Sequence, residues 1–320
     1  MPPRVKYEII HHAVSHDNNL LSVNHLCDLA GVSRSGYYNW LGNADKRAER
    51  EDRDKADFEL VLEAYRFRGY KKGARSIYMR LLHMDELMNI KKIRRLMKKY
   101  GLKCPIRGAN PYRRMAKALK TSNVAPNLVK RDFFSHGARK VLLTDITYLF
   151  YKGGVCYLSP ILDAFTREIL AYELSESMRV EFVLKTVDEM IEKYGCTLDD
   201  TTIVHSDQGC HYTSLAFIEK LKASGLTQSM SRKGNCWDNA PQESFFGHMK
   251  DDIKTEIAEC ETFEQVKAIV DDWMDYYNND RYQWDLAKLS PREYYEYVST
   301  GIYPLQKFKG YRRAAPNPEV

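Results

Sequence analysis

Apolar residues recur at helical spacing through the first third of the chain, then give way to β-branched and aromatic runs after residue 140. Ser22 is placed to cap a helix through NHLCDLAG, with Leu26, Leu29 and Ala30 on one face and Gly31 as its stop. A second helix begins near Ser33 and runs through RSGYYNWLG to Gly42. Two helices joined at Gly31-Val32-Ser33 match a helix-turn-helix with 33–41 in the recognition position, and a plain helical hairpin fits the same text. Residues 44–65 read as a highly charged helix. The stretch RFRGYKKGARSIYMRLL then leads through a polar turn into NIKKIRRLMKKYGL. Ile90, Ile93, Leu96 and Met97 hold the 3, 4 spacing of one helix face, and six cations fill the rest. Between Lys103 and Arg139, three prolines and weak periodicity read as a basic linker.

The second half predicts a sheet. VLLTDITYLF, VCYLSPILDAF and REILAYELSES read as a three-strand antiparallel meander over 141–175. A helix over 179–194, a strand TTIVHSD, a helix over 213–224 and a strand LTQSM follow. Helices over 239–254 and 263–279 complete the region. That order places this half in the α/β class, with a mixed five-stranded sheet.

Composition narrows the class. Of 320 residues, 44% are hydrophobic and 29% charged, ordinary values for a globular protein. No apolar run reaches 18 residues, the usual length of a membrane span, and the N-terminus lacks the apolar stretch of a secretion signal. Seven cysteines without a C-x-x-C pair fit a reducing cytosol, so the expected location is cytoplasmic, beside the nucleoid. The net charge of +6 hides a split, +16 over residues 1–140 and −10 over 141–320. Residues 66–140 hold 22 basic side chains against Asp85, Glu86 and Asp132. Such a basic half suggests contact with the phosphates of a polyanion. The residues expected on DNA are Arg34, Arg68, Lys71, Lys72, Arg75, Lys91, Lys92, Arg94, Arg95, Lys98 and Lys99, with Arg232 and Lys233 from the second half. The cations of 91–99 have no acid among them, which favours phosphate contact over a merely solvated face.

Three acids stand out by position. Asp145 interrupts an apolar strand, where an unpartnered carboxylate is costly to bury. Asp207 follows TTIVHS at a strand's carboxyl end, where open α/β sheets place ligands. Glu243 lies in the first turns of a helix for which Asn239 is a reasonable N-cap and Pro241 a first-turn residue. Singly, each has an ordinary structural reading as an edge residue, a cap or a dipole partner. Jointly, their small and polar neighbours favour a site.

Asp145, Asp207 and Glu243 are separated by 61 and 35 residues, and the second interval resembles the D,D(35)E arrangement of DDE transposases and retroviral integrases. LLTDITYL, VHSDQGCHYTS and SMSRKGNCWDNAPQESFFGHMKDD resemble the three catalytic blocks of the insertion sequence 3 family of bacterial transposases. YYNNDRYQWDLAKLSPREY resembles that family's C-terminal block, and the basic helical segment its DNA-binding region. The resemblance implies an RNase H-like core over 140–300, preceded by an all-α region. In that region 1–65 carries the helix-turn-helix, 66–102 a second basic module and 103–139 the linker; 301–320 is a tail. It implies two Mg²⁺ ions, with Mn²⁺ as a substitute, Asp145 bridging them and Asp207 and Glu243 holding one each. Such a pair activates the attacking oxygen and stabilises the leaving one. By the same resemblance, water would attack first and expose a 3′-OH, which would then attack a second strand. Lys250, seven residues after Glu243 and so on the same helix face, takes the family's DNA-contacting role beside the cleaved end. The implied partners are the element's terminal inverted repeats, target DNA, a second copy of the chain and the family's upstream-frame helix-turn-helix and leucine-zipper protein.

Other classes fit less well. A regulator without catalysis has no use for three acids, and a carboxylate glycosidase none for a basic half. A nuclease that cuts without joining shares the same carboxylates. His205, Cys210 and His211 bracket Asp207 but lack the second ligand pair of a zinc site. Tyr212 and Trp237 read as core aromatics or as stacking surfaces for unpaired bases. No heptad run with apolar a and d positions recurs along the chain.

Overall fold

A computed structural model describes residues 1–16, 18–104, 124–232 and 236–305, with backbone alone at 236–237. The chain divides into two compact units, one of residues 1–64 and 91–102, the other of 65–90 and 103–320. The segment 66–102, expected as one module, is thus shared between them.

The smaller unit is helical: α1 (Pro3–Val14), α2 (Val23–Ala30), α3 (Arg34–Gly42), most of α4 (Ala44–Arg66) and α6 (Ile90–Lys99), while α5 (Ala74–His83) belongs to the other unit. Ser22 Oγ accepts the His25 N–H at 3.3 Å, Ser33 Oγ accepts the Gly36 N–H at 3.0 Å, and Gly31 ends α2 at φ +62°. Ile10, Cys27 and Tyr37 form the core of α1–α3. Leu29, expected on the buried face, is 69% exposed. Val23, Leu26, Cys27 and Ala30 make the packed stripe at 3, 4 spacing, and Leu29 falls outside it.

The expectation of an uncompensated basic face on α6 is corrected. Arg95 donates to both Asp54 carboxylate oxygens at 2.6 Å, Lys99 reaches Glu51 at 2.6 Å and Asp54 at 2.8 Å, and Lys92 pairs with Asp57. An acidic ladder at 51, 54 and 57 on α4 meets a basic ladder on α6, and Phe58 stacks on Tyr100 at 4.3 Å. Arg95 and Lys99 hold the Asp54 carboxyl far below its ordinary range. These acids lie some forty residues upstream, where a local charge count does not find them.

The larger unit holds the sheet: β1 (Val141–Thr144), β2 (Thr147–Tyr151), β3 (Gly154–Asp163), β4 (Ile169–Ser175), β5 (Ile203–Ser206) and β6 (Thr227–Met230). Its helices are α7 (Val180–Tyr194), α8 (Leu215–Ala223), α9 (Ala240–Glu259), α10 (Phe263–Asn279) and α11 (Pro291–Thr300). The order is β2-β3-β1-β5-β6, with β4 on β3. β1 and β2 lie end to end against β3, Leu142–Thr144 facing Asp163–Ile161 and Thr147–Tyr151 facing Leu158–Gly154. The expected first strand is therefore one line broken at Asp145-Ile146, which turns five strands into six. The meander is antiparallel, whereas β5 joins β1, and β6 joins β5, in parallel. At Gly153, in the β2–β3 turn, a Cβ would collide with the Glu261 carbonyl.

α9 and α10 cover one face through Phe245, Met249, Ile253, Val270 and Trp273, and α7 and α8 the other through Phe182, Val187, Phe217 and Leu221. The described part of the expected linker is not free. Leu128 N–H donates to Ser229 Oγ at 2.9 Å, Pro126 C=O accepts the Met230 N–H at 3.3 Å, and Val129 and Phe133 enter the core. At the end of the sheet where β1 begins, Arg139 donates to Glu168 at 2.6 Å and lies 3.7 Å from Asp163, all three buried. α11 had no counterpart in the sequence reading. Ser290 and Glu293 form its capping box, the S-P-R-E signature of a helix start.

Candidate active site

The parallel pairing of β1 with β5 sets the site. Val141 faces Ile203, Leu142 faces Val204 and Leu143 faces His205. The same register carried two residues further puts Asp145 opposite Asp207, on strands about 4.8 Å apart. Each carboxylate is held locally: Asp145 Oδ1 accepts the Ile146 N–H and Asp207 Oδ1 the Gly209 N–H, both at 2.8 Å. A Cβ on Gly209 would stand 2.9 Å from that Asp207 oxygen and press on the carboxylate. Glu243 comes from the first turn of α9, whose apolar face is buried against β1 and β2.

The electrostatics tie these residues together. Burial, then the Asp207 charge, and to a lesser degree Glu243, push the Asp145 carboxyl up to about 7, while the Ile146 N–H and Lys250 act in the opposite sense. Burial also raises Asp207, opposed by the Gly209 N–H and His211. Lys250 is lowered by burial and by Lys254, with Asp145 favouring its charged form. The structure thus brings Asp145, Asp207, Glu243 and Lys250 into one field. Among the described residues, no three His, Cys, Asp or Glu side chains are placed to hold a single ion between them. The donor chemistry still fits hard divalent cations: carboxylates gathered at the carboxyl ends of two central strands, the most buried of them destabilised by its like-charged neighbours.

Around this centre the neutral groups are fixed. Tyr212 is buried, its hydroxyl 3.4 Å from Thr144 Oγ1 and its ionisation opposed by burial and by both aspartates. It is a core residue rather than a stacking surface. His205 Nδ1 lies 2.9 Å from Ser229 Oγ, and burial pushes its ionisation down to about 4. His211 Nε2 lies 2.8 Å from the Met178 carbonyl.

Asn239 occupies the N-cap position of α9 but makes no capping bond, and its Oδ1 is buried without a partner among the described residues. Asp238, which the sequence reading passed over, fixes this corner instead. Its buried carboxylate accepts Arg131 Nε at 2.8 Å, Arg232 Nε at 2.9 Å and Asn127 Nδ2 at 3.0 Å. Only the apposition of cations in space marks it, since Arg131 is over a hundred residues away.

The DNA-contact set divides. Arg34 is exposed on α3, and Lys91, Arg94 and Lys98 are exposed on α6. Lys92, Arg95, Lys99 and Arg232 are engaged by carboxylates. Arg68 is engaged too, with Asp280 at 3.2 Å and Asp272 at 3.7 Å. Lys72 is corrected outright: it is 3% exposed, its ammonium donating to the Tyr70 carbonyl at 3.0 Å. Lys71 donates to the Asp251 carbonyl at 3.1 Å, and Arg75 lies over the Trp284 ring at 5.5 Å. Lys233 and the Trp237 side chain lie outside the described residues.

A mixed sheet with two aspartates at adjacent parallel strand ends and a glutamate on the covering helix defines an integrase-type core. Models of the integrase core domain match residues 135–236 and 243–297, and a model of an HTH-like domain matches 51–110, downstream of the pattern read at 22–42. InsK of Escherichia coli K12, named as a transposase for insertion sequence element IS150, is 32% identical over 85% of this chain and 93% of its own length. InsF of the same organism, named as a transposase for IS3A, is 27% identical over 85% and 93%. A transposase-like protein of Haemophilus influenzae is 36% identical over 65% of this chain and 93% of its own. Among solved structures, the catalytic core domain of BIV integrase is similar at 17% identity and a TM-score of 0.40, over 50% of this chain and 96% of that one. The chain belongs to the insertion sequence 3 and 150 family of transposases, DDE polynucleotidyl transferases with an integrase core. Among the described residues, no helix is long and apolar enough to cross a membrane.

Proposed function

We propose that this transposase binds the terminal inverted repeats of a bacterial insertion sequence and catalyses divalent-metal-dependent strand cleavage and strand transfer at Asp145, Asp207 and Glu243. The observation that carries the reading is the register that sets Asp145 beside Asp207, with Glu243 and Lys250 in the Asp145 field. Bound Mg²⁺ would supply an activated attacking oxygen and charge stabilisation at the leaving oxygen. Asp145, Asp207 and Glu243 would hold it. The chain's own groups orient those ligands: the Ile146 and Gly209 N–H groups fix one oxygen of each aspartate, and α9 presents Glu243. Lys250, on the same helix face, meets a phosphate of the element end. The HTH-like region and the exposed cations of α6 hold the flanking duplex. Two ends brought together for transfer imply at least two copies of the chain.

The test uses labelled element ends and a target plasmid with Mg²⁺. Nicked and joined products are expected, and Asp207→Asn should abolish both while leaving end binding within about twofold, since its neutral amide keeps the shape of the carboxylate. Nicking without joining would favour the nuclease reading. Undiminished cleavage by Asp207→Asn would sink the three-carboxylate assignment.

A further inference from the structure

The larger unit carries a cavity of about 550 Å³ that none of Asp145, Asp207, Glu243 or Lys250 lines. It is walled by the turn before α5, by α5 itself, by α9, and by the end of α10 with residues 281–284. At 100° per residue, Asp251, His248 and Asp252 leave α9 about 80°, 140° and 180° from Glu243, so the cavity lies to another side of that helix.

Its chemistry is cationic. Lys71, Lys72, Arg75, Arg80, Arg167 and Arg281 line it against Asp251, Asp252 and Asp280. Two of those acids are already engaged, Asp252 by Trp273 Nε1 at 3.2 Å and Asp280 by Arg68 at 3.2 Å. Lys72 is a buried cation held on backbone carbonyls, and burial lowers its ionisation to about 8. The Arg80 guanidinium lies 3.6 Å from the Phe67 ring centre, and its buried Nε has no hydrogen-bond partner among the described residues. Trp284, Tyr282 and Phe67 add aromatic rings to the cavity lining.

We propose that this cavity binds one unpaired nucleotide, its phosphate against Lys71 and Arg75 and its base among the rings of Trp284, Tyr282 and Phe67. A bare phosphate is too small to account for a cavity of this size, which falls in the range that encloses whole small ligands. Aromatic rings and guanidinium planes are the surfaces on which nucleic-acid bases stack. The carboxylate centre plays no part in this binding.

The full chain is tested in EDTA with a labelled, 5′-phosphorylated tetranucleotide carrying bromodeoxyuridine. Binding is expected, with photocrosslinks on Phe67, Tyr282 or Trp284. Lys71→Glu, at an exposed position, and Trp284→Ala should each weaken it about tenfold or more, the scale of one lost phosphate or stacking contact. Competition by free deoxythymidine monophosphate identifies a free nucleotide as the occupant, and its failure to compete identifies a strand; either supports the cavity. Equal binding of an abasic tetranucleotide, crosslinks confined to other residues, or unchanged binding by Lys71→Glu would each overturn the proposal.

Discussion

Replacing Asp145 by Asn should stabilise the metal-free protein while removing its chemistry. The carboxyl is raised from an ordinary 3.8 to about 7 by burial and by Asp207, so its ionised form is disfavoured in the folded chain. Because the folded value lies above the unfolded one, the native state binds more protons between about pH 4 and 7. The stability is therefore fully present below about pH 4 and lost as pH rises through 7. Three pKa units at 1.36 kcal/mol each set a ceiling of about 4 kcal/mol. Partial exposure of the side chain to solvent brings the expected figure to about 2 kcal/mol. Urea unfolding in EDTA should show Asp145→Asn more stable than the parent at pH 8, with the gap narrowing as pH falls toward 4. Mg²⁺ should then stabilise the parent and not the variant. No gain at pH 8, or a gain independent of pH, would refute the reasoning.

Two further substitutions test the scaffold. Arg139→Met leaves buried Asp163 without its cation and Glu168 with Arg292 alone, 3.6 Å away, and should cost about 3–5 kcal/mol in urea unfolding. Asp54→Asn takes the shared carboxylate from Arg95 and Lys99. Both cations are partly solvated, so about 1–2 kcal/mol is expected in the melting of the helical unit, and the loss should shrink in high salt.

The sequence made the catalytic core legible for a physical reason. Asp145, Asp207 and Glu243 each sit at the end or interruption of an element whose apolar pattern is strong, and pairing register alone then brings the two aspartates together. The caps at Ser22 and Ser33 were readable because a cap is a local bond. What escaped is non-local. The ladder from Glu51 to Asp57 that meets α6, the Arg131–Asp238–Arg232 cluster and the buried Lys72 all depend on partners brought close by folding. Counting basic residues overstated the DNA-facing surface for that reason. The break at Asp145-Ile146 was visible only as an acid in an apolar run, and there the Ile146 N–H donates to the Asp145 carboxylate.

The most direct measurement replaces Asp145, Asp207 and Glu243 one at a time by Cys and follows cleavage of labelled element ends in Mg²⁺ and in Mn²⁺. A thiolate is a poor ligand for Mg²⁺ and a better one for the softer ion. If these side chains hold the metal, each variant loses cleavage in Mg²⁺ and regains it in Mn²⁺. Cleavage kept in Mg²⁺ by any of the three would contradict the assignment of that residue.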